Sequence, residues 1–198
     1  MRLGTKKILL GFTLIEVLVV VSIIGILSSL IYVNFNQARN ESKNRAWQTE
    51  MKEVQLAIEL YKAQKGSYPT AESIPALSCG SVSSGVAEAR SSDCLLNPVV
   101  ENLVPEFINE FINPNTSNNS SCDLVYRVDA GEQSWYKLIA ENCLVDVDAS
   151  SGTQTTGEQA RCPSSCSYCG EVENNSAYTE SPAFYESLAV YSAGGQCE

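Results

Sequence analysis

The sequence predicts an α+β protein: one long N-terminal helix packed against a small antiparallel sheet, with cysteine-rich loops towards the C-terminus. Three observations carry this. The apolar run "LLGFTLIEVLVVVSIIGIL" at 9–27 leads into a segment of helical periodicity. Two alternating runs, "DLVYRVD" and "SWYKLIAE", flank a short turn. All eight cysteines lie at or after Cys79.

The apolar run follows Arg2, Lys6 and Lys7. From Phe12 to Val33 it has the length needed to cross a bilayer core, and positive charge before it predicts a C-terminus on the outer side. A secretory signal peptide would have a shorter apolar core and a small-residue cleavage site, but polar helical sequence follows here instead. Glu16, near the start of the run, does not suit a plain anchor, because a carboxylate costs roughly 3 kcal/mol or more at the centre of a membrane helix.

In "NRAWQTEMKEVQLAIELYKAQKGSYP", Trp47, Met51, Val54, Ile58 and Tyr61 recur at four, three, four and three, which sets them on one helix face. Lys52, Glu53, Glu59 and Lys62 fall largely on other faces. Gly66 and Pro69 supply the stop. A helix from Phe12 to about Gln64 would extend roughly 80 Å.

From 66 to 121 the chain reads as irregular, with one periodic segment. There Val100, Leu103, Val104, Phe107, Ile108 and Phe111 predict a short helix near 100–111, begun or bent at Pro105. The sheet is expected over 122–148. Leu124, Tyr126 and Val128 give its first strand an apolar face, "AGEQ" with Gly131 makes the hairpin turn, and "CLVDV" is a plausible third strand. In 149–198, "SSGTQTTGEQ" reads as an exposed loop, "CPSSCSYC" packs three cysteines into eight residues, and "FYESLAVYS" holds a final strand.

An even number of cysteines in Ser/Asn/Gly-rich loops is what an oxidised, extracytoplasmic domain uses to reinforce a small core. Disulfides are therefore expected, with Cys79 and Cys94, and Cys122 and Cys143, paired on proximity. Cys162, Cys166, Cys169 and Cys197 are left with open connectivity, one pair stapling the final strand. The sharper alternative is an all-cysteine zinc or iron–sulfur site. Calcium at Asp123, Asp129, Asp146 and Asp148 is a second metal reading, but no spacing resembles an EF-hand and solvated acidic surface accounts for them. No metal or cofactor is assigned. Asn-x-Ser sequons begin at Asn40, Asn115, Asn118, Asn119 and Asn174 and read as loop chemistry.

The net charge of −10, from 23 acidic and 13 basic residues, gives no electrostatic footprint for nucleic acid. Six of the basic residues lie within the first 45 positions. Histidine is absent, which removes Ser-His-Asp triads, Cys-His dyads and imidazole ligands. Cys166 and Cys169 have the spacing of a thiol oxidoreductase, but they stand in a loop and not before a helix in a βαβ pattern. The chain is expected not to be an enzyme.

Lys6, Lys7 and "GFTLIEVLVVVSIIGIL" from Gly11 resemble the class III signal of type IV pilins and type II secretion pseudopilins. The ending "AIELYKAQKGSYP", where a tyrosine precedes Gly-x-Tyr-Pro, resembles the same family. The resemblance implies the pilin fold and a leader at 1–11, cut between Gly11 and Phe12 by a prepilin peptidase that then methylates the Phe12 amine. It implies that 12–34 is the membrane and filament-core helix and 35–65 its amphipathic continuation. Glu16 would offset the Phe12 ammonium of a neighbouring subunit during assembly. It further implies a subunit of a type IV pilus or pseudopilus-like extracellular or periplasmic filament, homopolymeric or mixed. Before assembly the chain would sit in the cytoplasmic membrane among lipid, served by an assembly platform and an ATPase, because it carries no nucleotide-binding motif. Many relatives place a proline where this chain has Val33, and Pro114 takes the place of the turn before the sheet. The alternative reading is a membrane-anchored, disulfide-rich binding domain that never polymerises.

Overall fold

The computed structural model describes residues 12–71, 80–93, 99–100, 102–112, 121–145, 147, 157–169, 172–173 and 182–198; of residues 30–34, 172–173 and 182–183 it describes the backbone alone. The leader, Cys79, Cys94, Asp146, Asp148, Pro114 and the sequons at 115, 118, 119 and 174 lie outside the described residues. Helix α1 runs Leu14–Lys65. The chain divides into two compact units, Met1–Arg39 and Asn40–Glu198.

Among the described residues of the first unit the apolar side chains have no cover. Val17, Leu18, Val19, Val20 and Val21 follow one another around the helix, and all are between 48% and 63% exposed. A helix apolar all round is built for an apolar surrounding, not for one buried face. Ser22 and Ser29 donate their hydroxyls to the Leu18 and Ile26 carbonyls at 2.8 Å, which satisfies them within the helix. Among the described residues no helix is long and apolar enough to cross a membrane. The apolar run of the sequence continues into 30–34, where only backbone is described.

In the second unit α1 buries one stripe: Trp47, Met51, Val54, Ala57 and Ile58 are at most 5% exposed and belong to the main core. Among the described residues the main sheet has five antiparallel strands in spatial order β1 (Gly80–Ser83), β2 (Val86–Arg90), β3 (Asp123–Asp129), β4 (Tyr136–Glu141) and β7 (Leu188–Tyr191). A separate two-stranded ribbon joins β5 (Tyr168–Cys169) to β6 (Val172–Glu173). Helix α2 (Pro182–Tyr185) precedes β7. Alternation puts Leu124, Tyr126, Val128, Tyr136, Leu138, Ala140, Leu188 and Val190 in the same core as the α1 stripe. The helix stops as its sequence requires: Gly66, at φ +91°, donates its N–H to the Lys62 carbonyl at 2.8 Å. Tyr68 then packs edge-on to Tyr136, and the Pro69 carbonyl accepts the Tyr126 hydroxyl at 2.8 Å.

The opposite sheet face is also covered. Val125, Ile139 and Ala189 form a second small core, and Lys137, in the next row of the same face, is 1% exposed. The C-terminal segment lies across this face. Lys137 donates to the main-chain oxygens of Gln196 and Glu198 at 3.0 and 2.6 Å, and Arg161 pairs with Glu141 at 2.7 Å. Tyr136 and Ser192 exchange hydrogen bonds, and Gly195 passes so close to the Tyr136 carbonyl that a Cβ there would overlap it. Towards β2 the same face carries a charge lattice in which Glu88 meets Arg90 and Arg127 at 2.8 and 3.0 Å, and Arg90 meets Glu141 at 3.0 Å.

Three expectations need correction. The short helix near 100–111 is a run of turns over the described residues 102–112. Asn102 stands at φ +58°, Pro105 has no N–H to donate, and a single turn closes where Phe107 and Ile108 both bond the Leu103 carbonyl. The described residues of "CLVDV", 143–145 and 147, are not a strand, because the Asn44 side chain takes both main-chain groups of Val145, at 2.8 and 3.0 Å, and Leu144 donates to Glu186. The place beside β4 goes to β7. The segment read as irregular contains the β1–β2 hairpin, turned by Ser84 and Gly85 at φ +52° and +82°. The Ser-Gly pair between "GSVS" and "VAEAR" was the available signal.

Two outcomes follow for stability. Loss of the bridge between Cys122 and Cys143, which ties the base of the β3–β4 hairpin across a 21-residue separation, should cost about 3 kcal/mol in denaturant unfolding of a Cys122→Ala/Cys143→Ala variant; an unchanged midpoint would refute this. Burial first, then Arg161 and Arg127, push the Lys137 ammonium down to about 7, against a smaller opposing effect of Glu198. Between that value and the ordinary lysine range near 10 the unfolded chain binds the extra proton, so this group's contribution grows as pH rises. Wild type should therefore gain stability relative to Lys137→Met on going from about pH 7 to about pH 10. A constant difference would show that Lys137 has no depressed proton affinity.

Candidate functional site at the head of the helix

Helix α1 starts at a reciprocal cap. Thr13 is the N-cap: its main-chain N–H and its hydroxyl both donate to Glu16 Oε2, at 2.8 and 2.7 Å. The Glu16 N–H in turn donates to Thr13 Oγ1 at 3.3 Å, and Val17 N–H to the Thr13 carbonyl at 3.3 Å. This is the Thr-x-x-Glu capping box, which satisfies main-chain donors that have no partner within the helix. The motif is visible in "TLIE", yet reading Glu16 as the partner of a neighbouring subunit's ammonium passed over it. A carboxylate in the first turn also suits the positive end of the helix dipole.

The cap fixes where the helix begins. Phe12 stands just ahead of it, 85% exposed, with Leu14 and Ile15 also largely exposed. Among the described residues Glu16 has no cationic partner, so its charge is held by donors of its own chain alone. Gly11 lies outside the described residues. The arrangement offers an exposed aromatic residue at the head of an apolar helix, with one carboxylate a turn below it.

The other candidate residues have structural roles. Six cysteines form three disulfides, Cys122–Cys143, Cys162–Cys169 and Cys166–Cys197. Cys166 and Cys169 are thus not partners of each other, and the oxidoreductase reading of that spacing fails. These six sulfurs carry no thiolate for a metal. Cys162, Cys166 and Cys169 are buried with Phe184 in a small core of their own, and the Arg161 guanidinium lies over the Phe184 ring at 4.4 Å. Asp129 holds the β3–β4 turn: its carboxylate accepts from the N–H groups of Gly131, Glu132 and Ser134 and from the Ser134 hydroxyl. Those bonds, the Ser134 hydroxyl first, hold its carboxyl below the ordinary value. Asp123 accepts from Ser91 and Ser92 in the same manner. Among the described residues no three acidic, cysteine or histidine side chains converge as metal ligands. Asn40 of the first sequon stands on α1, not in a loop.

A family-model match lies at this end. Residues 10–32 match the family model of the prokaryotic N-terminal methylation motif. The type II secretion system core protein G of Klebsiella michiganensis is 34% identical over 62 residues, 31% of this chain and 44% of that one. The proteins of the same name from Aeromonas hydrophila and Vibrio cholerae are each 36% identical over 62 residues, 31% of this chain and 43% and 42% of theirs. The chain thus spans less than half the length of the curated relatives it matches. No solved structure matches. At its head the chain thus resembles proteins that carry this methylation motif, and over 62 residues it is similar to the type II secretion system core protein G.

Proposed function

We propose that the chain is a structural subunit of a type IV pilus or pseudopilus-like filament, made as a membrane-anchored precursor and assembled through the apolar half of α1. The observation that carries this reading is the head of α1: an exposed Phe12, the Thr13–Glu16 cap and an uncovered apolar surface, inside the methylation motif at 10–32. A prepilin peptidase cuts between Gly11 and Phe12 and methylates the new amine. Residues 12–34 lie in the cytoplasmic membrane with the C-terminus outside, until an assembly platform and an ATPase transfer the helix into the filament. The Phe12 ammonium of one subunit then meets Glu16 of another. Breaking such a buried pair costs more than forming it gains, so it acts on register. The role calls for no cofactor and no catalysis.

The capping box favours a second reading. It gives Glu16 work in an unassembled chain, as a membrane-anchored surface domain that never polymerises would need. Substitution separates the two, because glutamine keeps an acceptor for the Thr13 N–H while losing the charge. Intact mass and N-terminal sequencing of the native protein should show a chain starting at methylated Phe12. Sheared surface or periplasmic polymer should fall roughly tenfold or more in both Glu16→Gln and Glu16→Ala. Polymer retained in Glu16→Gln would assign Glu16 to the cap alone, and a chain still starting at Met1 would leave the anchored-domain reading.

A further inference from the structure

Between α1 and the turns that end at Ile112 lies a groove of about 250 Å³. Val54, Ile108, Phe111 and Ile112 give it apolar walls, and Glu50, Glu53 and Glu110 stand at its rim. Among the described residues none of these carboxylates has a cation within ion-pair distance. Partial burial, then the Glu53 charge, hold the Glu50 carboxyl above its ordinary value, as expected of a carboxylate without a counter-ion. Along the same helix Leu56 and Leu60 are turned to solvent, 62% and 46% exposed.

The complementary charge stands two turns earlier. Lys43 has no ion-pair partner among the described residues, and Arg45 meets only Glu41, in a pair whose side chains are 74% and 59% exposed. Exposed pairs of this kind contribute little and exchange readily. Lys43 and Glu50 are seven residues apart, so about 10 Å of helix rise separates them, whereas side chains meet within a helix at three or four residues. Lys43 and the α1 carboxylates Glu50 and Glu53 therefore cannot neutralise one another inside one chain. A copy standing beside the helix, turned to face it and shifted along it by about that rise, brings them together.

We propose that the groove receives the basic segment of a second copy of this chain, with Lys43 and Arg45 set against Glu50, Glu53 and Glu110. The long aliphatic stems of lysine and arginine lie on the apolar walls while their charged ends reach the rim. The choice of a second copy rests on the filament-subunit reading. The displacement has the same sense as the Phe12–Glu16 pairing of that reading: in both, a residue nearer the N-terminus meets one further along.

The test uses the full chain in its native membrane, with p-benzoyl-phenylalanine replacing Phe111 and, separately, Ile112. On irradiation, a homodimer should form whose cross-linked peptide contains residues 43–45. The Glu50→Lys/Glu110→Lys variant should lower its yield about tenfold, and adding Lys43→Glu/Arg45→Glu should restore most of it. Mass and protease resistance of each variant report that the disulfide-bonded domain is folded. A cross-link to another protein, no cross-link from either position, or charge reversal without effect overturns the proposal. Polymer formed without the cross-link would sink this interface and leave the filament reading standing. The cross-link found without any sheared polymer would do the reverse.

Discussion

The larger unit depends on the burial of one stripe of α1. Met51, Val54 and Ile58 have no solvent exposure, and the inward residues of β3, β4 and β7 close over them. Such a stripe stabilises by roughly 1.5–3 kcal/mol for each large side chain removed from water, which makes it the main favourable term for a sheet of short strands. Its consequences reach the loops. The "GSYP" segment turns at Gly66 so that Tyr68 and the Pro69 carbonyl can serve the same core, and Asn44 reaches out of the helix to hold Val145.

Covering the second face of the sheet poses a different problem. That face bears Lys137, Arg127, Glu141, Glu88 and Arg90 beside Val125, Ile139 and Ala189. Its cover is therefore polar as well as apolar: main-chain oxygens for the lysine, Arg161 for Glu141, and a small cysteine–phenylalanine core above. Two disulfides, Cys162–Cys169 and Cys166–Cys197, tie the cover to itself and not to the sheet. Hydrogen bonds, ion pairs and the close approach at Gly195 attach it. Short loops that cannot build a full core gain their order from such bridges.

At the other end, a single carboxylate serves two needs. Within one chain Glu16 caps the helix and is satisfied by Thr13. Within an assembly, under the proposed function, it is the partner of an ammonium. A charge that already has local donors is less costly to keep among apolar residues than a bare one, while its remaining capacity stays open to a stronger partner. The groove on the larger unit follows a similar logic, with opposite charges placed too far apart along one helix to meet.

Much of this was legible in the sequence, for reasons of periodicity. The α1 stripe, its stop at Gly66 and the β3–β4 hairpin follow from patterns of 3.6 and 2.0 that belong to neighbouring residues. The head of α1 was readable too, since Thr13 and Glu16 are three residues apart and their cap is local chemistry. Where the outcome turned on distant partners, local pattern misled. Residues 100–111 have helical spacing, but Asn102 and Pro105 interrupt it and its apolar side chains pack against α1 as turns. "CLVDV" alternates like a strand, yet Asn44 and Glu186 take its main-chain groups, and Leu188–Tyr191 occupies the position beside β4. The pairing of four cysteines and the burial of Lys137 were settled only by the fold, because each depends on residues more than thirty positions away or on the cover of a second sheet face. The sequence alone determined the elements whose hydrogen bonds and apolar faces are local, and the tertiary structure decided which of the remaining segments found partners.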